Sequence, residues 1–333
     1  MDDRHRIAWV DMARGLCMTA ILLFHSEKYY VGEEIIPYAL YVDNAIILFF
    51  FVSGYLFQNP QKAISVPHKL RSVLRTMIIP YFVFTLILAL PKALAHDDTS
   101  IAEVLTRILT GHASWFIAAL IVCQLLFLAV LRIGRGRIRV MFIASALPYL
   151  LIALLYGLMP SDTWRDLNLW CWQNACLLLF FLFGGFLYRR MEHRLAWMQR
   201  PGVIMLMSVV LIILKYAIWR ENWMLTLQPV NVTSFTLLLI DGSLGIIVFI
   251  GIIRYLPSIR LVSFTGRHSL YYYFICGGVP FTVSKAMETV GFSYQGIYPQ
   301  VMVVFVMVYL ISTIVVGIIN RISSYSFFFL KRE

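Results

Sequence analysis

The sequence predicts an all-α fold: a polytopic integral membrane bundle of about ten transmembrane helices. Three observations carry it. The 333 residues are 60% hydrophobic, with a mean hydropathy of +0.79, far above a soluble domain of this size. Apolar stretches of about 20 residues, the length that crosses a ~30 Å hydrocarbon core, recur from end to end. Short basic segments separate them in alternation. The excess of eleven positive charges therefore reads as topology and not as a nucleic-acid surface.

The spans fall at roughly 7–26, 38–58, 74–95, 114–131, 140–158, 173–188, 201–219, 232–253, 267–286 and 299–320. No repeat, linker or soluble domain interrupts them, so residues 1–333 read as one transmembrane domain. The stretch after Met1 is too long for a cleavable leader and contains Asp11 and Arg14, so the first span is expected to stay. Five cysteines, Cys17, Cys123, Cys171, Cys176 and Cys276, show no metal-ligand spacing, and no metal is expected. Cys171 and Cys176 would face different sides of a helix, which speaks against a disulfide.

Lys and Arg set the orientation. With the N-terminus in the cytoplasm, 20 basic residues lie on inner segments, among them Arg4, Arg6, Lys62, Lys69, Arg71, Arg75, Lys331 and Arg332. Only six lie outside: Lys28, Lys92, Arg107, Arg165, Arg220 and Lys285. Both termini are expected in the cytoplasm. The outer loops 27–37, 96–113 and 159–172 collect carboxylates, including Glu27, Asp97, Asp98, Asp162 and Asp166. They also hold Tyr29, Tyr30, Trp164, Trp170 and Trp172. Aromatics beside carboxylates suit sugars; they equally make an interfacial belt.

Asp11, Arg14 and His25 fall within about 60° of one face of the first span, with Gly15, Met18 and Leu22 on or near the stripe. Charge within a bilayer is costly, so such residues face a bundle interior or a watery cavity. Asp11 and Arg14, one turn apart, also make a simple ion pair. His25 is suited to general-base work, to carrying an acyl group, or to no more than a wetted helix end.

The chain resembles the acyltransferase-3 family of membrane acyltransferases. The resemblance begins with Asp11, the Arg14-Gly15 pair and His25. It continues through the phenylalanine-rich run 49–57 ending in Ser53-Gly54-Tyr55, and the basic segment Lys69, Arg71 and Arg75 leading to Pro80. His112 to Trp115-Phe116 and Gly266-Arg267-His268-Ser269-Leu270 complete the order. The chain departs from the family where Ala45-Ile46-Ile47 replaces a His-Met-Pro, and where Cys276 replaces a late His. It departs again where the basic pair is spaced by four.

The resemblance implies an O-acetyltransferase of the bacterial inner membrane. Acetyl-CoA would be the cytoplasmic acyl donor, with no bound cofactor. A sugar hydroxyl of a cell-surface glycan or its lipid-linked precursor would be the acceptor. It implies catalytic roles for His25, Arg14 and Asp11, with Arg14 steadying the thioester or the acyl carbonyl oxygen. Arg71, Arg75 and His268 would meet the donor. Trp115, Ser53 and Asp241 would serve the acceptor or support the site. Each has a plainer reading: positive-inside charges for Arg71 and Arg75, a surface site for His268, packing for Trp115 and Ser53, and a Lys215 partner for Asp241. The rival functions are a transporter or flippase of a glycan intermediate, transfer of a larger acyl group such as succinyl, and an inert sensor.

Overall fold

The computed structural model describes residues 7–58, 64–95, 100–158 and 167–329. Arg4, Arg6, Lys62, Asp97, Asp98, Asp162, Trp164, Arg165, Asp166, Lys331 and Arg332, used above for orientation and for the outer loops, lie outside the described residues. The chain is an all-α polytopic membrane protein. Seven helices among the described residues are long and apolar enough to cross a bilayer. The chain divides into two compact units, residues 1–45 with 252–333, and residues 46–251.

The first unit is built on α1 (Ala8–Val31), 24 residues closed by Gly32 in the left-handed conformation, φ 92°. Only glycine takes that turn without strain, which is why the helix stops there. Around α1 pack α11 (Arg260–Arg267), α12 (Ser269–Ile275), α13 (Gly278–Thr289) and α14 (Tyr298–Phe329). The ninth expected span is thus not one helix. It breaks at His268 and again at Cys276-Gly277. Two glycines in a row hold a helix poorly, and Pro280 lacks the N–H that would continue one from α12. Both favour a fresh start at Gly278.

The second unit starts within α2 (Val42–Phe57), only 16 residues long. α3 (Val66–Val73) runs through a π turn at Leu74–Ile78 into α4 (Ile79–Ala95). Ile79 N–H closes the π turn on the Leu74 carbonyl. Pro80 explains the turn. In α register its ring would meet the Thr76 carbonyl with no N–H to offer, and an extra residue relieves the clash. Then follow α5 (Ile101–Leu109), α6 (Trp115–Gly134), α7 (Ile138–Leu158), α8 (Trp172–Arg190), α9 (Pro201–Arg220) and α10 (Phe235–Tyr255). α8 packs against both α6 and α7 and is buried along most of its length.

A small hairpin, β1 (Leu225–Leu227) and β2 (Val230–Val232), joins α9 to α10. Leu225, Leu227, Val230 and Val232 are buried, the period of two that a strand requires. Asn174 at the start of α8 donates to the Leu227 carbonyl and pins the hairpin down. Nor do all the outer aromatics form a belt. Tyr30 is buried against Phe292 and Tyr294, and Trp170 packs on Tyr81 and Phe82.

Candidate functional site

In the first unit, α1 and α11 cross with their backbones almost touching. A methyl on Gly15 would land on the Val262 carbonyl; one on Gly266 would land on the Asp11 carbonyl. Each helix offers a glycine to the other's main chain. That crossing brings Ser269, buried at the start of α12, to Arg14. Arg14 Nη2 donates to Ser269 Oγ at 2.8 Å. Asp11 sits near enough for its charge to act on Arg14. Tyr272 on α12 donates to Thr313 Oγ1 at 2.7 Å, and Thr265 on α11 bonds the Tyr309 hydroxyl at 2.7 Å. Both helices are thereby fixed to α14. At the N-terminal end of α1, the Arg254 guanidinium lies 4.8 Å over Trp9. Arg14 is therefore a held cation, its side chain aimed by a neutral hydroxyl.

His25 lies three turns further along the same face, roughly 16 Å away at ~1.5 Å per residue. Its ring stacks on Tyr29, centroids 6.1 Å apart and planes 21° apart. Among the described residues no hydrogen bond reaches either ring nitrogen of His25. Tyr29 leans edge-on against Phe281 at 5.8 Å. A methyl on Gly277 would lie 3.6 Å from the Tyr29 hydroxyl, and Cys276 is within its electrostatic reach. The break between α12 and α13 is thus at the His25 end of α1, one aromatic ring removed. Cys276 stands there.

Two residues beyond His25, Glu27 is fully buried. Its Oε1 accepts from the Ile35 N–H at 2.6 Å and the Ile36 N–H at 3.0 Å. One carboxylate therefore straps the returning loop 33–37 to the turn of α1 that carries His25. His268, at the joint of α11 and α12, has Nδ1 3.0 Å from the Phe264 carbonyl. Facing a carbonyl, that nitrogen donates, so Nε2 is the open one. The His268 ring also lies against Phe264, centroids 4.4 Å apart and planes tilted by 37°.

In the second unit Arg71 and Arg75 are both exposed. An α turn closes after 3.6 residues and a π turn after about one more. A spacing of four thus keeps the two on one face. Lys69 Nζ lies 4.7 Å over the Phe57 ring. Gly54 faces the Leu182 carbonyl and Gly185 the Phe51 carbonyl, a second reciprocal glycine contact, here between α2 and α8. Tyr55 donates to Glu192 Oε2 at 3.1 Å and accepts from Arg189 Nη1, which itself bonds Glu192 at 3.2 Å. Within this element, then, the glycine and tyrosine carry the contacts, while Ser53 is half-buried beside them. Trp115 is half-buried at the start of α6, edge-on to Phe116 at 6.1 Å. Asp241 is fully buried and accepts from Lys215 Nζ at 2.8 Å.

The nine residues singled out in the sequence are thus divided between the units: Asp11, Arg14, His25 and His268 in the first, Ser53, Arg71, Arg75, Trp115 and Asp241 in the second. Sequence reading missed Ser269, Tyr29 and Glu27. Ser269 stood inside the Gly266–Leu270 element, three residues after its glycine, a spacing that returns to the same helix face. Tyr29, four residues after His25, follows the same rule. Nothing local marks Glu27, because its partners are backbone groups of a loop.

Such an arrangement can bind and orient an anionic or polar carrier at Arg14 and remove a proton at His25. No curated protein and no solved structure matches the chain. A family model described as an acyltransferase domain does match, over residues 7–321, and on that match the chain belongs to the acyltransferase-3 family.

Proposed function

We propose that this membrane acyltransferase takes an acetyl group from cytoplasmic acetyl-CoA. It passes the group to a sugar hydroxyl of a cell-surface glycan or its lipid-linked precursor, at the inner membrane of a bacterium. The observation that carries this reading is the layout of α1: a cation held by Ser269 in one half, an imidazole with unengaged nitrogens toward the other end. A donor entering from the basic side runs its polar arm past Arg14 toward His25. At roughly 16 Å, one carbonyl cannot touch both, so a thioester at His25 leaves the donor's arm to Arg14.

His25 removes the proton from the acceptor hydroxyl as its oxygen attacks the thioester carbonyl carbon. The tetrahedral oxyanion collapses, the C–S bond breaks, and the departing thiolate takes the proton from the imidazolium. The products are the O-acetyl ester and free CoA. In the two-step variant the imidazole itself attacks first and the acceptor then displaces it. On the donor side, Arg71 and Arg75 supply guanidinium groups suited to the phosphates of CoA.

The test is transfer of radiolabelled acetyl from acetyl-CoA by membranes holding wild type or His25→Ala. Label in the glycan or lipid-linked fraction with wild type, and none with the variant, is expected. Equal labelling by both overturns the role of His25. Translocation of a glycan without labelling by either overturns the transferase reading in favour of a transporter.

A further inference from the structure

The second unit holds a cavity lined by none of the nine candidate site residues. Its free space is about 200 Å³. Phe51 of α2, Phe180 and Leu187 of α8, Ile247 and Ile250 of α10, and Met198 of the loop after α8 are among its walls. Polar groups touch it at few places, notably Tyr188, Gln199 and Ser243. Gln199 Nε2 is already committed to the Tyr188 hydroxyl at 2.8 Å. An apolar cavity of this size does not hold water; it takes an apolar guest. Phe180, Leu187, Met198 and Ile247 keep partial exposure, so the space is not sealed within the bundle.

Three arginines stand close to the cavity's lining in sequence. The lining residues Leu195 and Gln199 are each followed or preceded in sequence by an arginine, Arg194 and Arg200, and Arg190 closes α8. All three arginines are exposed. Arg189 is engaged with Tyr55 and Glu192 and is not one of these three. A greasy slot among membrane-spanning helices, with three exposed guanidiniums on residues close to its lining in sequence, matches one ligand chemistry: an alkyl chain bearing a phosphate head. We propose that this cavity binds the chain of an anionic, phosphate-headed lipid, with the phosphate at Arg190, Arg194 and Arg200. The proposal concerns binding alone and does not depend on the acetyl-transfer reading.

Gly184 makes the cavity testable. It lies in the wall, and a methyl there would meet only the Phe51 ring at an ordinary 3.8 Å. A larger side chain at 184 grows into the free space. The experiment reconstitutes the full-length protein in vesicles doped with phosphatidylglycerol carrying a diazirine at mid-chain. After irradiation, mass spectrometry maps the label. Expected are adducts within residues 195–199 and around Ile247. Gly184→Leu should cut them by about tenfold or more, since overfilling costs more than the ~1.4 kcal/mol of one decade. Ile247→Trp, which fills the slot from the facing helix, should do the same if Gly184→Leu fails to insert. The triple Arg→Gln variant at 190, 194 and 200 should erase the preference over a phosphatidylcholine probe.

Two sources of such a lipid separate by competition. Displacement by a long polyprenyl phosphate at a far lower mole fraction than by unlabelled phosphatidylglycerol identifies a glycan carrier; displacement by both at similar mole fractions identifies a bilayer lipid. Label confined to other segments overturns the proposal. So does label at 195–199 that survives both filling variants in inserted protein, or equal labelling by the two head groups in wild type.

Discussion

Gly15→Ala and Gly266→Ala should each weaken the protein and its activity together, through one contact. The added methyl at either position falls on a main-chain carbonyl of the facing helix, Val262 or Asp11. A carbonyl inside a helix cannot rotate aside as a side chain can, so α1 and α11 must separate. Overfilling a tight contact costs about 1–3 kcal/mol. Separation by more than about 0.7 Å also carries the 2.8 Å Arg14–Ser269 bond beyond hydrogen-bonding range, and a bond to a charged donor contributes about 1.5–3 kcal/mol. Gly317→Ala is the control. Nothing lies within 4 Å of the methyl it adds, and Ala holds a helix better than Gly by up to about 1 kcal/mol. The assay is thermal unfolding of detergent-purified variants alongside acetyl-transfer rates. Tm should fall in the first two and hold or rise in the third. The double variant should cost less than the two singles added, because one separation serves both. Ser269→Ala removes the bond but keeps the close fit, so it should lower transfer with a smaller loss of Tm than either glycine variant. Unchanged Tm and rate in Gly15→Ala and Gly266→Ala, or strict additivity, would refute the shared contact.

Three further outcomes are expected. His25→Gln should lower the transfer rate by about 10²–10⁴, the range of a positioned general base, with Tm near wild type; near-normal turnover removes His25 from the chemistry. Arg71→Ala or Arg75→Ala should raise the donor KM more than it lowers kcat, since phosphate contacts are made equally in ground and transition states. Lys should restore only part, and an unchanged donor KM in the double variant returns both residues to topology. Lys215→Met should destabilise by about 3–5 kcal/mol, because it removes the ammonium that faces the buried Asp241 carboxylate; Lys215→Met with Asp241→Leu should recover most of it, and a double variant no better than the single refutes the pairing.

The sequence shows its membrane character at every scale, because bilayer thickness forces a run length on each span. It shows the α1 stripe for a similar reason: Asp11, Arg14 and His25 are spaced by the helix period itself. The count of ten spans is less secure. Residues 267–286 are apolar enough to read as one span, yet Gly277, Gly278 and Pro280 break it, and an average over a window does not register where the backbone stops. Asp241 and Lys215 were each readable as an intramembrane charge, and their packing on neighbouring helices joins them. The alternation from Leu225 to Val232 around Gln228-Pro229 was a legible strand signal, short enough to pass for a loop. Ser269 and Glu27 were hidden for a different reason. Each acts on a group remote in sequence or on bare backbone, and only the crossing of α1 with α11 or the fold of loop 33–37 brings those partners in.

The interruption at Cys276-Gly277 bears on hydration. Where α12 ends and α13 begins, the last carbonyls of one and the first N–H groups of the other lack partners within their own helix. Hydrocarbon offers them nothing, so a helix break at that depth persists only against protein or beside water, even though Cys276 and Gly277 themselves keep right-handed helical dihedrals. The Tyr29 hydroxyl reaches Gly277 at the gap, and the His25 ring stacks on the Tyr29 ring. The imidazole is therefore one aromatic ring away from the break. Carbonyl and N–H groups left open at a helix break lower the desolvation cost of any polar group brought beside them.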